Sequence, residues 1–278
     1  MDMSANTPRA EPVRLSDYAP TPYMVTTVDL DIRLDPEATE VTADLRLSRC
    51  AGTPGGTPLV LDGDELQLIA VEIDGSRLKA DAMEASAQRL VILAPPTGAF
   101  TLRIITRIAP AQNTKLMGLY RTNGNYCTQC EAEGFRRITY FYDRPDVLAV
   151  YTTRLEARRD EAPYLLSNGN LAQSGAITGT DRHFAVWHDP HPKPSYLFAL
   201  VGGDFDVVRD RFVTMSGRNV VLEIFVEHGK ADRAAYAMDA LKRSMKWDED
   251  AFGREYDLDI FMIVAVSDFN MGAMENKG

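Results

Sequence analysis

The chain has 278 residues, 45% apolar and 25% charged, with forty acidic side chains against thirty basic ones. The length is that of one large domain or two ordinary ones, with enough chain to bury a core without staples. A net charge of −10 argues against a grip on nucleic-acid phosphates or on an anionic membrane surface, and the composition excludes disordered, collagenous and coiled-coil classes. Three cysteines, Cys50, Cys127 and Cys130, do not make a secreted disulfide framework. The first twenty residues are polar and carry Pro8, Pro12 and Pro20, and the longest apolar run is Ile260 to Val266. Neither reads as a signal peptide or a membrane span, so a cytoplasmic location is the expectation.

Residues 1–20 read as a flexible lead-in. A period-2 pattern follows, with Met24, Thr26, Val28, Leu30, Ile32 and Leu34 on the expected inner face. After Asp35-Pro36 it returns as Val41, Ala43, Leu45 and Leu47. The alternation shifts phase between Leu68 and Ile69, as a β-bulge would, and Asp74-Gly75 reads as a hairpin turn. Leu90 to Leu93 and Leu102 to Ile108 add strands. The first ~110 residues are therefore predicted to be an antiparallel β-sheet or sandwich.

Residues 109–146 break this rhythm, and so long an excursion in a β domain is expected to be functional or disordered. Strands resume at Tyr151–Arg158, His183–Trp187 and Tyr196–Val201. His183, His188 and His191 fall among Pro190, Pro192 and Pro194 and read as a turn with surface histidines. Glu156, Arg158 and the run Asp248-Glu249-Asp250 read as solvated faces. After about Gly203 the character changes. Val220–Val226 is a buried strand, Asp232 sits where a helix N-cap would, and Ala234, Met238, Leu241, Met245 and Phe252 follow at helical spacing up to Gly253. Asp259–Val266 is a second buried strand. Cys127 and Cys130 have C-x-x-C spacing, but with Cys50 on a distant strand a reduced structural pair is expected.

The last segment holds the strongest chemical signal. Gly272 and Ala273 leave the backbone bare enough for another chain to approach, and Glu275 places a carboxylate at the end of that approach. Such an edge could pair with an extended peptide while the carboxylate meets its free ammonium end. A plain turn with Glu275 solvated fits the same residues.

Gly272-Ala273-Met274-Glu275-Asn276 resembles the exopeptidase signature of the zinc aminopeptidase N family, bacterial membrane alanyl aminopeptidase type, a gluzincin. Thr128-Gln129-Cys130-Glu131-Ala132-Glu133-Gly134-Phe135-Arg136 is similar to the family's second substrate loop. Tyr142-Asp143-Arg144-Pro145-Asp146, Leu166-Ser167-Asn168-Gly169-Asn170, Pro192–Leu200 and Ser244–Glu249 are similar too, in the family's order. The resemblance runs from about Tyr18 to Gly278.

It implies a mainly β chain: a saddle-like antiparallel β-sandwich domain over 21–203, then the opening α+β part of a thermolysin-like catalytic domain over 204–278. It implies that Glu275 and Glu131 bind the substrate's α-amino group with Gln129 beside them, and that Gly272 and Ala273 offer backbone contacts. Met271 would line the first side-chain pocket, and Met274 and Asn276 belong to the same substrate-binding set. The family's H-E-x-x-H zinc helix has no counterpart here: the four histidines include no pair at i, i+4. No catalytic residue and no metal ligand is therefore expected within this chain. Zinc would be bound by residues downstream of Gly278, and the chain alone would be inactive. The implied whole is a zinc metalloaminopeptidase acting on peptides with a free N-terminus, with the rest of the catalytic domain as partner and neither nucleic acid nor membrane. The alternative is a non-catalytic peptide- or protein-binding module on the same scaffold.

Overall fold

The computed structural model describes residues 14–278. Their strands, in chain order, are β1 (Tyr23–Arg33), β2 (Thr39–Arg49), β3 (Leu59–Asp62), β4 (Gln67–Ile73), β5 (Ser76–Arg77), β6 (Met83–Ala85), β7 (Arg89–Ile92), β8 (Phe100–Ile108) and β9 (Gly118–Thr122). Then come β10 (Asn125–Gln129), β11 (Ala149–Arg158), β12 (Tyr164–Ser167), β13 (Asn170–Ala176), β14 (Arg182–Lys193), β15 (Leu200–Gly203), β16 (Asp206–Val213) and β17 (Asn219–Val226). Helix α1 (Ala235–Phe252) and strand β18 (Ile260–Ala265) complete the order. Of the expected lead-in, 1–13 lie outside the described residues. Of the remainder, Tyr18 is tied down: its hydroxyl donates to Asp146 at 3.0 Å, and Arg144 lies over its ring.

An eight-stranded sheet runs β13-β14-β11-β1-β2-β8-β4-β5, with β1 and β11 parallel and its other pairs antiparallel. A four-stranded sheet, β12-β15-β10-β9, and a three-stranded one, β3-β7-β6, accompany it. On β2, Val41, Ala43, Leu45 and Leu47 are buried, as alternation requires of a strand with one wet face. On β1 the expected phase holds only from Val28 onward. A register shift between Val25 and Thr27 inserts one residue, so Tyr23 and Val25 point inward while Met24 and Thr26 are exposed. The bulge in β4 falls between Leu68 and Ala70, and Asp74 and Gly75, both at positive φ, make the turn into β5.

Residues 109–146 are an ordered part of the core. Asn123 and Gly124, both left-handed, join β9 to β10 in a tight hairpin. β10 is buried at every position, so it has no alternation to read. Behind it Phe135 packs edge-on against Phe141 at 5.1 Å and Phe198 at 5.2 Å. Pro190 and Pro192, beside His188 and His191, sit inside β14 rather than in a turn, and Pro194 follows the strand. β13 reaches only as far as His188, so from Pro190 onward β14 is an edge strand, where a missing N–H is tolerated. Glu156 is not solvated either: its carboxylate takes hydrogen bonds from Arg154 at 2.9 Å and Arg182 at 2.6 Å.

A separate cluster of buried side chains surrounds a β17–α1–β18 unit, with β17 and β18 parallel and β16 on the outer edge. Met238, Leu241 and Met245 form the inner stripe of α1, and Gly253 ends the helix in the left-handed region, its N–H donating to the Glu249 carbonyl. Asp232 is not the N-cap. It lies in a 3₁₀ turn, Ala231–Arg233, in which the Arg233 and Ala234 N–H groups donate to the Lys230 and Ala231 carbonyls, and α1 begins after Ala234 with no side-chain cap. Phe252 faces outward against Trp247. Glu249 is buried and accepts the Met215 N–H at 2.8 Å. Glu249→Ala leaves that donor unpaired and is expected to cost about 1–3 kcal/mol, measured as a fall in the urea midpoint. Among the described residues no helix is long and apolar enough to cross a membrane.

Candidate functional site

After β18 the chain leaves regular structure. Among the described residues, 267–278 make no main-chain to main-chain hydrogen bond, and the segment is held by side chains. At its start the Tyr120 hydroxyl donates to the Asp268 carbonyl at 2.9 Å, and the Thr122 hydroxyl donates to the Asp268 carboxylate at 2.7 Å. The Asn270 amide donates to the Leu116 carbonyl at 3.1 Å. At its end Asn168 donates to the Lys277 carbonyl at 2.7 Å, and the Lys277 ammonium meets the Asp257 carboxylate at 2.7 Å.

Between these ties Met271, Gly272, Ala273 and Glu275 are exposed and Met274 and Asn276 half-buried. All six line a cavity of about 880 Å³. Its walls include Cys127 and Thr128 of β10, Leu166 and Ser167 of β12 with Asn168 after it, Ala199, and Leu200 and Val201 of β15. Gln129 and Glu131 do not line it. Gln129 is the last residue of β10 and fully buried, with neither amide atom hydrogen-bonded. It pairs across the hairpin with Gly118, directly after the Leu116-Met117 pair that receives Asn270. Glu131 is half-buried in the following turn, which is closed by the Gly134 N–H on the Cys130 carbonyl at 2.8 Å.

Asp143 steadies that turn from behind. It is buried, and burial pushes its carboxyl upward, opposed by the Ser195 hydroxyl at 2.6 Å and by the Arg136 N–H and guanidinium at 3.1 Å. Burial pushes the Cys127 thiol up to about 11 and raises the Cys130 thiol well above its ordinary value. Both are free thiols, as the reading of a reduced pair anticipated, and poor nucleophiles at neutral pH.

Zinc needs three or four converging ligands, and the side chains here do not fit it. Among the described residues no three His, Cys, Asp or Glu groups are placed to hold a metal ion. The histidines are scattered and separately engaged. His183 meets the Ala162 carbonyl, His188 the Thr152 hydroxyl and His191 Asp257, while His228 bridges Asp204 and Asp206 through opposite ring nitrogens.

Asn168 and Thr122 are functional candidates that sequence reasoning missed as individuals. Asn168 was visible only as part of a family-like pentapeptide, and Thr122 carried no signal.

Residues 21–197 match the Peptidase M1 N-terminal domain and residues 236–278 the Peptidase family M1 domain. The Aminopeptidase N of Caulobacter vibrioides is 56% identical over 276 residues, 99% of this chain and 31% of the relative. The Aminopeptidase N of Escherichia coli is 53% identical over 94% of this chain and 29% of its own length. This chain thus spans about a third of the relatives it matches. The Legionella pneumophila aminopeptidase A, solved in complex with aspartic acid, has a TM-score of 0.89 at 35% identity, covering 95% of this chain and 31% of that one. A Deinococcus radiodurans M1 zinc metallopeptidase, bound to a Tyr-Ser-Ala substrate, shares the fold with a TM-score of 0.72 at 18% identity, over 87% of this chain and 56% of that one. On both matches and on identity across nearly its whole length, the chain belongs to peptidase family M1.

Proposed function

We propose that this chain is the amine-anchoring part of an aminopeptidase that removes single residues from peptides with a free N-terminus. Residues 21–203 serve as its β domain and 204–278 open its catalytic domain. The observation that carries this reading is an exposed carboxylate, Glu275, on a cavity wall beside the bare backbone of Gly272 and Ala273.

An extended peptide laid along Gly272 and Ala273 exchanges main-chain hydrogen bonds with them and brings its ammonium to Glu275. That contact is a charge-assisted hydrogen bond, strong enough to fix which residue stands first. The same reading gives Glu131, with Gln129 beside it, the role of a second carboxylate, although neither lines the cavity wall, and a substrate with a blocked amine loses the ammonium contact. Met271 borders the first side chain with a flexible, polarizable surface that accepts several shapes. The zinc that the family implies would be held by residues outside this chain, and what these side chains contribute is binding and register.

In the full-length enzyme, Glu275→Ala should lower kcat/KM on an amino-acid anilide by about 10–100-fold, the worth of one hydrogen bond to a charged group, with KM raised. Kinetics equal to the wild type would reject the assignment.

A further inference from the structure

The ends of the anchor segment are tied to opposite edges of one sheet. In the order β12-β15-β10-β9, Thr122 is the last residue of the edge strand β9, and Asn168 follows the other edge strand, β12. Thr122 holds Asp268 and Asn168 holds Lys277, nine residues further on. Four strands are about 14 Å wide between outer axes, and the two ties also lie about four residues, or about 13 Å, apart along the strands, so the diagonal is about 19 Å against the ~30 Å that nine extended residues reach. The segment therefore crosses the sheet with slack, and the cavity it borders is walled by Cys127 and Thr128 of β10 and Leu200 and Val201 of β15 together with β18 and the inner face of α1.

We infer that residues 268–277 are a strap strung across the four-stranded sheet, and that Thr122 and Asn168 are positioning residues that set the place of Glu275 over the cavity. The inference rests on the amine-anchor reading of Glu275. With no main-chain ladder of its own, the strap takes its position from its fasteners.

Both fasteners are built to hold. Asn168 is buried and fully engaged: its Nδ2 donates to the Leu197 and Lys277 carbonyls and its Oδ1 accepts the Ala199 N–H. Its side chain has one orientation that satisfies all three contacts. Thr122 is buried, and its hydroxyl both donates to the Asp268 carboxylate and accepts the Asp268 N–H at 3.3 Å. Asp268 itself is exposed, so breaking this tie loosens the start of the strap without opening the core, while the Tyr120 hydroxyl keeps its hold on the Asp268 carbonyl.

The test uses the full-length enzyme with an amino-acid anilide as substrate. Asn168→Asp is isosteric and keeps the acceptor for Ala199 but can donate to neither Lys277 nor Leu197. Thr122→Val keeps the shape and loses the hydroxyl, and Thr122→Ser restores it. Asn168→Asp and Thr122→Val are each expected to raise KM about 5–10-fold with kcat changed less than twofold, and Thr122→Ser to restore the wild-type KM. In a Glu275→Ala background the same substitutions should leave KM unmoved, because they act through that carboxylate. A KM increase that persists in the Glu275→Ala background would mean a general structural effect and overturn the proposal. Wild-type KM in both Asn168→Asp and Thr122→Val, with Glu275→Ala impaired, would overturn the strap and leave the anchor reading standing. Wild-type kinetics in Glu275→Ala would remove the anchor reading and the strap with it.

Discussion

Replacing Lys193 by methionine is expected to destabilise the protein by about 3–5 kcal/mol at neutral pH, because it strands a buried carboxylate. The Lys193 ammonium lies 3.1 Å from the Asp189 carboxylate and 4.0 Å from the centre of the Tyr151 ring, and the two charged side chains are 3% and 0% exposed. Burial outweighs what Asp189 returns. Together with repulsion from Lys277 it pushes the Lys193 ammonium down to about 8. The sign of the pH effect follows. Between about pH 8 and 10.5 the unfolded chain still binds a proton that the folded chain has shed, so stability rises with pH there. Below pH 8 both states carry the proton and this contribution is flat. The wild type should therefore gain about 3 kcal/mol over Lys193→Met across that window. Urea unfolding of the full-length protein at pH 7, 8, 9 and 10 measures both effects. A Lys193→Met midpoint equal to the wild type at pH 7 would mean the pair is hydrated rather than buried. Adding Asp189→Leu to Lys193→Met should recover most of the loss, since the stranded charge goes with it.

What could be read from the sequence follows which faces meet water. β2 was legible because Val41, Ala43, Leu45 and Leu47 alternate with half-exposed or exposed residues. β1 was half legible: an inserted residue between Val25 and Thr27 reverses the pattern, and no property of Met24 or Thr26 announces it. β10 was hidden because a strand buried on both faces has no period, and the Asn123-Gly124 turn that joins it to β9 went unread. The α1 stripe and its Gly253 stop were plain, but the start was misplaced because a 3₁₀ turn holding Asp232 stands between the expected cap and the helix. Glu249 looked like one of three solvated acids until Met215, 34 residues earlier, supplied its partner. The site divides in the same way. The residues from Met271 to Asn276 were legible as a contiguous motif, whereas their fasteners are separated from the strap by 146 and 109 residues of sequence and become partners only through the fold.

Gly169→Ala is expected to cost about 2–5 kcal/mol, the other large effect in this chain. Gly169 has φ of +92°, where a Cβ alone costs about 1–2 kcal/mol. That Cβ would also run into the His188 carbonyl and lie 2.5 Å from the Asp189 nitrogen. These are backbone atoms of β14, which is bonded along its length to β11 and cannot step aside, so overpacking adds a further 1–3 kcal/mol or so. Gly179 provides the control: its φ is +78°, yet a Cβ there meets nothing within 4 Å. Gly179→Ala should cost only the conformational part, about 1–2 kcal/mol. Equal urea midpoints for the two variants would show that the approach to β14 relaxes freely. Two consequences set Gly169 apart from an ordinary turn glycine. It adjoins Asn168, so displacing the turn also loosens the strap, and KM should rise under conditions where the variant is still folded. Its obstruction falls on Asp189, the partner of Lys193, so the losses from Gly169→Ala and Lys193→Met should combine to something other than their sum.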